Sequence, residues 1–551
     1  MSRFKKIVIF TVLILITCGA LFAIRKIETR MDNTVDKEHL RFTGDVRNAP
    51  PLVAFTSVAL GSFRGLIADL LWLRSENLKQ EKSYFEMVQL ARWITDLQPN
   101  YSGGTAYLAW NLAYNISVTC SDHEDRWRWV NEGVSLIRDK ALVYNPEDPV
   151  LYKELAWIFQ HKLGNVMDDA NLLYKNRLGM QMTNILATGT PDWEALAAAP
   201  KSKAEFLELY PEDHKLWQIS SELGYKNFPE LFLAFKNVIP AQLPDALAAK
   251  LGEEEFKKID NFMRAELLRE RMKLEPAKIL ELDKKYGKMD WRVPESQAIY
   301  WATIGIEKTA GKRDLRCARL ITQSLQAAFR GGRMLTMDDK KLEYVQIVPN
   351  LALADSAYET YLETQMSYDK ESGDNSSFRS ARINYLKDAI PLIYTHGNIT
   401  KAEEFFRKLI KEDGPQKQRT LDEFVMAEFA EDVRDADVKK VSAIISELIF
   451  RSIISLIYND HDAALANERL ARYIHSKYVK ENVEVKRNNL PPYPTMKAGV
   501  IADCERRLPP MMVAVLKSAI AAEKAEKIEE SKYINIPVSK QESKTGSQER
   551  K

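Results

Sequence analysis

The stretch Gln98–Ser117, QPNYSGGTAYLAWNLAYNIS, contains the tripeptide Leu108-Ala109-Trp110. The tripeptide returns 47 residues later as Leu155-Ala156-Trp157 in Asn145–Gly164, NPEDPVLYKELAWIFQHKLG. A proline stands nine residues ahead of each copy, Pro99 and Pro146, and the same interval separates Pro51 from Leu60-Gly61. A pattern spaced in this way marks a structural unit used more than once. Within the second copy, Leu155, Ala156, Phe159 and Leu163 fall on one arc of a helix, whereas Glu154, Trp157 and His161 project from another. The first copy puts Trp110 and Tyr114 at the places of Trp157 and His161.

Outward from these copies, helical periodicity dominates from Pro51 onward, strand-like alternation is nearly absent, and the breaks are short Gly, Pro, Asn or Asp clusters. The body therefore reads as all-α. The spacing predicts helices over 52–77, 80–98, 105–118, 124–144, 149–163 and 166–187, which pair into three hairpins. Residues 188–293 break the pattern and read as an α-helical insertion with long, largely solvated helices. Helical hairpins resume over 294–532, with a polar loop at 368–380, and a disordered tail is expected over 533–551.

In the third hairpin, Tyr152, Leu155, Ala156 and Phe159 follow the large, Leu, small, aromatic order of the first helix of a tetratricopeptide repeat. The chain here resembles the TPR superfamily. A further TPR-like unit lies in YTHGNITKAEEFFRKLIKEDGP, where Gly397, Ala402, Phe406 and Leu409 keep the family's spacing. The resemblance implies a helical-hairpin repeat solenoid over 51–187 and parts of 294–532. The units here are 47 to 48 residues long against the family's about 34, so helices or loops are extended. It also implies that Tyr107, Trp110, Tyr114, Lys153, Trp157 and His161 line a concave groove for a protein or peptide partner. Tyr and Trp suit that work because they offer large contact area with few rotors to freeze.

Composition narrows the function classes. Lys plus Arg (79) and Asp plus Glu (77) nearly cancel, so no basic footprint points to nucleic acid. Ten Trp and 43 other aromatics can fill a sizeable core. The four cysteines are scattered without the spacing of a disulfide framework or a zinc site.

At the N-terminus, Arg3, Lys5 and Lys6 precede Ile7–Ile24, eighteen residues without a charge. That run predicts a single-pass signal-anchor within residues 1–30, joined to the body by a linker over 31–50. The short basic start stays cytoplasmic, which places the bulk of the chain in a bacterial periplasm, anchored in the inner membrane. A second apolar run, Leu52–Leu73, reads instead as an amphipathic packing helix, with Leu66, Ile67, Leu70, Leu71 and Leu73 on its inward face and Gly65, Ala68 and Asp69 on the other.

Motifs for catalysis are thin. TCSDHEDRW (Thr119–Trp127) reads as a helix cap through Ser121 or Asp122, and no cofactor or metal is expected. There is no GxSxG, Walker loop or dinucleotide fingerprint. In KMDWRVPESQAIYWA (Lys288–Ala302), Trp291 and Arg292 are candidate interface anchors or, structurally, the lead into a helix starting at Pro294. The expectation is a membrane-anchored, non-enzymatic scaffold or assembly adaptor. The alternatives are an envelope hydrolase using His161 with Asp168 or Asp169, and a structural subunit of a membrane transport or secretion complex.

Overall fold

The computed structural model describes most of residues 63–534, apart from 82, 100, 166, 310–314, 337–344, 373–375, 414–418, 432–437 and 482–489, and a few positions between 19 and 33. The signal-anchor expected at 7–24 lies outside the described residues except for Gly19 and Ala23, and so do Pro51, Leu60 and Gly61. No helix among the described residues is long and apolar enough to cross a membrane.

Among the described residues the fold is all-α apart from one two-stranded antiparallel sheet. Helices α1 (Phe63–Glu81) and α2 (Tyr84–Leu97) form an antiparallel pair. Next comes α3 (102–119), α-helical over Ser102–Trp110, π-helical over Asn111–Ile116 and 3-10 over Ser117–Thr119. The following helix, α4 (123–144), is interrupted by a π-helical stretch at Leu136–Ala141. Helix α5 (149–163) is α-helical over Pro149–Trp157 and π-helical over Ile158–Leu163, and α6 covers Asn171–Leu186. The chain clusters into two compact units: one of residues up to Tyr174 with Trp301–Cys317, the other of Lys175–Tyr300 with Ala318 onward.

In the first unit the helix starts are set by their caps. Asp122 accepts the amides of Glu124 and Asp125, and Asp148 accepts that of Val150 with Pro149 at the first helical position. The cap predicted for TCSDHEDRW is thus Asp122. Small residues then fix how closely the helices approach. A Cβ on Gly133 of α4 would stand 2.7 Å from the Ala109 carbonyl oxygen and 3.3 Å from the Ala113 methyl, so α3 and α4 pack backbone to backbone. Leu108, Leu112 and Ile116 are buried on that side, as are Leu151, Leu155, Phe159 and Leu163 in α5. Tyr152 stacks on Trp301 at 6.2 Å, and Lys308 ion-pairs with Glu147.

The expected inward face of the first apolar helix is in part exposed. Leu66, Leu70 and Leu73 are exposed at 58%, 58% and 66%, whereas Ala68, Ser75 and Leu78 are buried. The small residues give the closer helix approach, so packing selects them over the leucines.

The second unit opens with α7 (Trp193–Ala198), α8 (Lys203–Leu209), α9 (Lys215–Glu222), α10 (Phe228–Asn237), α11 (Asp245–Leu251), α12 (Glu253–Met272) and α13 (Pro276–Tyr286). Caps again mark the starts: Asp192, Ser202 and Asn227 each accept an amide three residues on. These helices are not largely solvated as expected. Phe206 stacks on Phe262 at 4.1 Å and meets Phe228 at 5.6 Å, and Ile259, Met263, Leu267 and Leu268 are buried beside them, giving the segment its own aromatic core.

Helices α14 (Pro294–Glu307) and α15 (Leu315–Gly331) lead to strands β1 (Arg333–Leu335) and β2 (Gln346–Val348), which pair antiparallel with Met334 opposite Ile347. Three-residue strands show no alternation, and sequence periodicity does not find them. The rest is helical: α16 (Ala354–Ser372), α17 (Ser376–Thr395), α18 (Ile399–Glu412), α19 (Leu421–Glu431), α20 (Val438–Ile457), α21 (His461–Glu481), α22 (Tyr493–Arg507) and α23 (Pro510–Ile534). Helix over Ala354–Ser372 and Ser376–Thr395 replaces most of the loop expected at 368–380, and α23 continues two residues into the expected tail, the remainder of which lies outside the described residues. Gly397, at φ +81°, makes the turn between α17 and α18, and Asn398 caps α18 on the Lys401 amide.

Trp291 and Arg292 are interior, at 2% and 5% exposure, and present no surface for a partner. The reason is local. Asp290 accepts the Arg292 amide at 3.0 Å and its guanidinium at 2.9 Å, then takes the Met334 amide at 2.9 Å, while Arg292 donates to the Met334 carbonyl at 2.5 Å. The pair thus bonds both backbone groups of β1 at Met334, as a neighbouring strand would. Trp291 donates to Asp283 at 3.0 Å. Replacing Arg292 by Met leaves the Asp290 carboxylate buried without its cation. We expect a loss of about 3–5 kcal/mol of stability, read as a lowered urea midpoint, while Lys250→Met at the exposed pair with Glu222 changes it by less than about 1 kcal/mol.

Candidate functional site

The two copies of Leu-Ala-Trp occupy equivalent places in equivalent helices. Ser102–Trp110 and Pro149–Trp157 are both nine-residue α-helical stretches, and Asn111–Ile116 and Ile158–Leu163 are both six-residue π-helical ones. The Ser117 amide bonds to the Leu112 carbonyl and the Gly164 amide to the Phe159 carbonyl, each five residues back. The tripeptide is therefore the last α-helical turn before a widened one. Residues four apart in an α-helix are offset by about 40° around the axis. A turn closed by i→i+5 bonds winds less per residue and brings such residues closer to eclipse.

That geometry lines up rings. Tyr107 stacks on Trp110 at 6.3 Å, and Trp110 on Tyr114 at 5.7 Å. On α5, Trp157 stacks on His161 at 4.5 Å with 12° between planes, and His161 meets Tyr114 at 5.7 Å. Trp72 of α1 extends the series from the other end, 6.0 Å from Tyr107. The result is a continuous row, Trp72–Tyr107–Trp110–Tyr114–His161–Trp157, carried by three helices of the first unit. Tyr107 is 45% exposed and Trp110 37%; Trp72, Tyr114, Trp157 and His161 are half-buried.

Five of the six groove candidates read from the sequence stand in this row. Lys153 lies one helical turn before Trp157, outside the ring series, and ion-pairs with Glu154. Trp72 was not foreseen, because no repeated spacing links it to the other rings; its only signal is being the one Trp of α1.

A charged layer supports the row from beneath. Lys162, at 5% exposure, sets its ammonium 5.6 Å from the Tyr114 ring centre and 5.9 Å from that of Tyr174. Its partner is Asp168, 2.5 Å away. Asp168 also accepts the Ala170 amide at 3.0 Å and the Tyr174 hydroxyl at 3.3 Å, and Arg126 binds both Asp168 and Asp169. Burial works against the Asp168 charge, but the bonds from Lys162 and the Ala170 amide outweigh it and hold its pKa below the usual carboxylate value.

The pairing of His161 with Asp168 or Asp169 expected of a hydrolase is not formed. The Tyr114 hydroxyl faces His161 Nδ1 at 3.3 Å, and Asp169 is held by Arg126 with His123 3.5 Å away. Burial, and then the Lys162 charge, depress the His161 pKa. Burial and the Glu154 charge raise that of Tyr114, which keeps its proton, so its hydroxyl and the ring Nδ1 share one hydrogen bond. Among the described residues, no group of three or more His, Cys, Asp or Glu is placed to hold a metal ion, and Cys120, Cys317 and Cys504 are free thiols.

A separate cleft of about 1020 Å³ lies in the second unit, lined by β1, β2 and α17, α20 and α21. Its charged groups largely neutralise one another, Arg330 with Asp388 and Arg451 with Glu447. His396 Nδ1 donates to the Leu392 carbonyl, 2.8 Å away, and burial lowers its pKa. Nothing there matches the repeated, partly exposed array of the first unit.

The depressed His161 pKa carries a sign. Folded, the ring binds protons less readily than in the unfolded chain, whose value is about 6.5. Its contribution to stability is therefore full above pH 6.5 and is lost as pH falls from there toward the folded pKa. Urea midpoints compared between pH 7.5 and 5 should fall for the native protein, and His161→Gln should flatten that part of the curve.

No protein-family model matches this chain, and no curated protein matches it in sequence.

Proposed function

We propose that the protein is a membrane-anchored helical-repeat scaffold that holds a protein or peptide partner along the row of rings, in an assembly or adaptor role at the cell envelope. The observation that carries this reading is the row itself: five aromatic rings and an imidazole, from three helices, with partly exposed edges. Interface hot spots are built from such residues, which give large contact area at low rotor cost. The Trp72, Trp110 and Trp157 indole N–H groups bond to no described residue, which leaves donors for a partner's backbone carbonyls.

The recurrence of one α-then-π helix at a 47-residue interval supports the TPR-like repeat reading, in which first helices of successive hairpins lie side by side. Residues 7–24, as an anchor, would hold the surface at the inner membrane with the bulk of the chain in the periplasm, raising the local concentration of a partner tethered to the same membrane.

The test is affinity capture from detergent-solubilised membranes with the native chain and with a Trp110→Ala, Trp157→Ala variant checked for helical content by circular dichroism. Hot-spot truncation costs about 2 kcal/mol or more, which is roughly 30-fold in affinity. The variant should therefore lose a partner that the native chain retains, at unchanged helicity. Retention of the partner would sink the reading.

A further inference from the structure

At the Trp72 end the row opens into a cleft of about 930 Å³, between α1, the α2–α3 turn and the start of α3. Three rings wall it: Trp72, Tyr101 and Tyr107. Two of them meet at Gly104, where an added Cβ would stand 2.3 Å from the Tyr101 ring and 3.1 Å from the Trp72 ring. Only glycine lets the two rings close in this way. Asp69 lines the same cleft, one helical turn before Trp72 on α1. It is exposed and makes no hydrogen bond or ion pair with any described residue. The nearby Arg74 is engaged by Glu81 and Glu86.

The charge of the cleft decides its ligand. The first turn of α3 has no side-chain cap, and its free amides would favour an anion. However, among the described residues lining the cleft Asp69 is the one acidic or basic side chain, and it stands beside the electron-rich faces of the rings. Aromatic faces with an adjacent carboxylate bind cations. Among biological cations the guanidinium adds planarity, stacking on Trp or Tyr while its fork meets a carboxylate.

We propose that this cleft receives an arginine side chain of the polypeptide that lies along the row. The proposal rests on reading the row as a peptide surface; Tyr107 belongs to both, so a chain following the rings reaches the cleft without a gap.

The test is saturation-transfer NMR on the full chain in deuterated detergent. The probes are Nα-acetyl-arginine methylamide and the uncharged isostere Nα-acetyl-citrulline methylamide. The arginine probe should bind at least five-fold more tightly than the citrulline probe. Asp69→Asn, a change at an exposed position, should weaken it by a similar factor, and Lys250→Met, at an exposed pair outside the row, should leave it unchanged. Equal binding of the two probes, indifference to Asp69→Asn, or displacement of the arginine probe by inorganic phosphate would each overturn the proposal. If the arginine probe fails while Trp110→Ala, Trp157→Ala still abolishes partner capture, the cleft assignment falls and the row reading stands. If it binds as expected while capture is unaffected, the cleft is a cation site but not part of a peptide surface, and the proposal falls in that form.

Discussion

The approach of α3 to α4 at Gly133 is the constraint from which the first unit follows. With a glycine against the Ala109 carbonyl and the Ala113 methyl, the two helix backbones touch, and Ala109 and Ala113 are both fully buried at the approach. Once Ala109 is fixed inward, helical geometry turns Leu108 into the core and Trp110 out of it. Ala156 is buried in the same role between Leu155 and Trp157. The tripeptide is therefore a statement about distance as much as about composition: leucine fills, alanine permits contact, and tryptophan is what remains for the outside.

The polar groups beneath the row follow from the same arrangement. Rings that stack on each other are not buried by each other, and their inner edges need support. Lys162 provides it under Tyr114 and Tyr174, but an ammonium at that depth needs a carboxylate, and Asp168 supplies one. Asp168 sits in the turn after α5, and Arg126, bonded also to the Cys120 carbonyl at 2.8 Å, joins that turn to the one after α3. The hub thus ties the turn after α3 to the turn after α5, which explains why the carboxylates near His161 serve architecture and leave the imidazole to Tyr114.

Much of this was legible in the sequence, and the exceptions have physical causes. The helix over 149–163 is read with its observed bounds because Asp148, Pro149 and Gly164 mark both ends. The sixth helix starts at Asn171 and not at 166, because Asp168 bonds the Ala170 amide and holds the chain in a turn. The face of α1 is misread because periodicity counts leucines, whereas packing around Ala68 and Ser75 rewards small size. Trp291 and Arg292 look like surface anchors by type, but a partner strand 42 residues away, unreadable from local pattern, draws Arg292 inward. The pairing of Trp110 and Tyr114 with Trp157 and His161 is legible from register, and Tyr107 joins them through the TPR resemblance; their mutual stacking is not legible, since no residue type announces a π-helical turn.

Those π-helical turns make the row depend on chain length more than on ring identity. Each stretch keeps its rings in line by the way the chain winds, and one residue fewer between two rings would restore ordinary winding and set them three apart, about 60° out of line. A relative of this protein could therefore exchange Tyr for Phe or His for Tyr along the row and keep its shape, but it could not shorten either helix by a single residue. In comparing sequences to this one, the telling feature is an ungapped interval between positions 110 and 114 and between 157 and 161, not the identity of the rings at their ends.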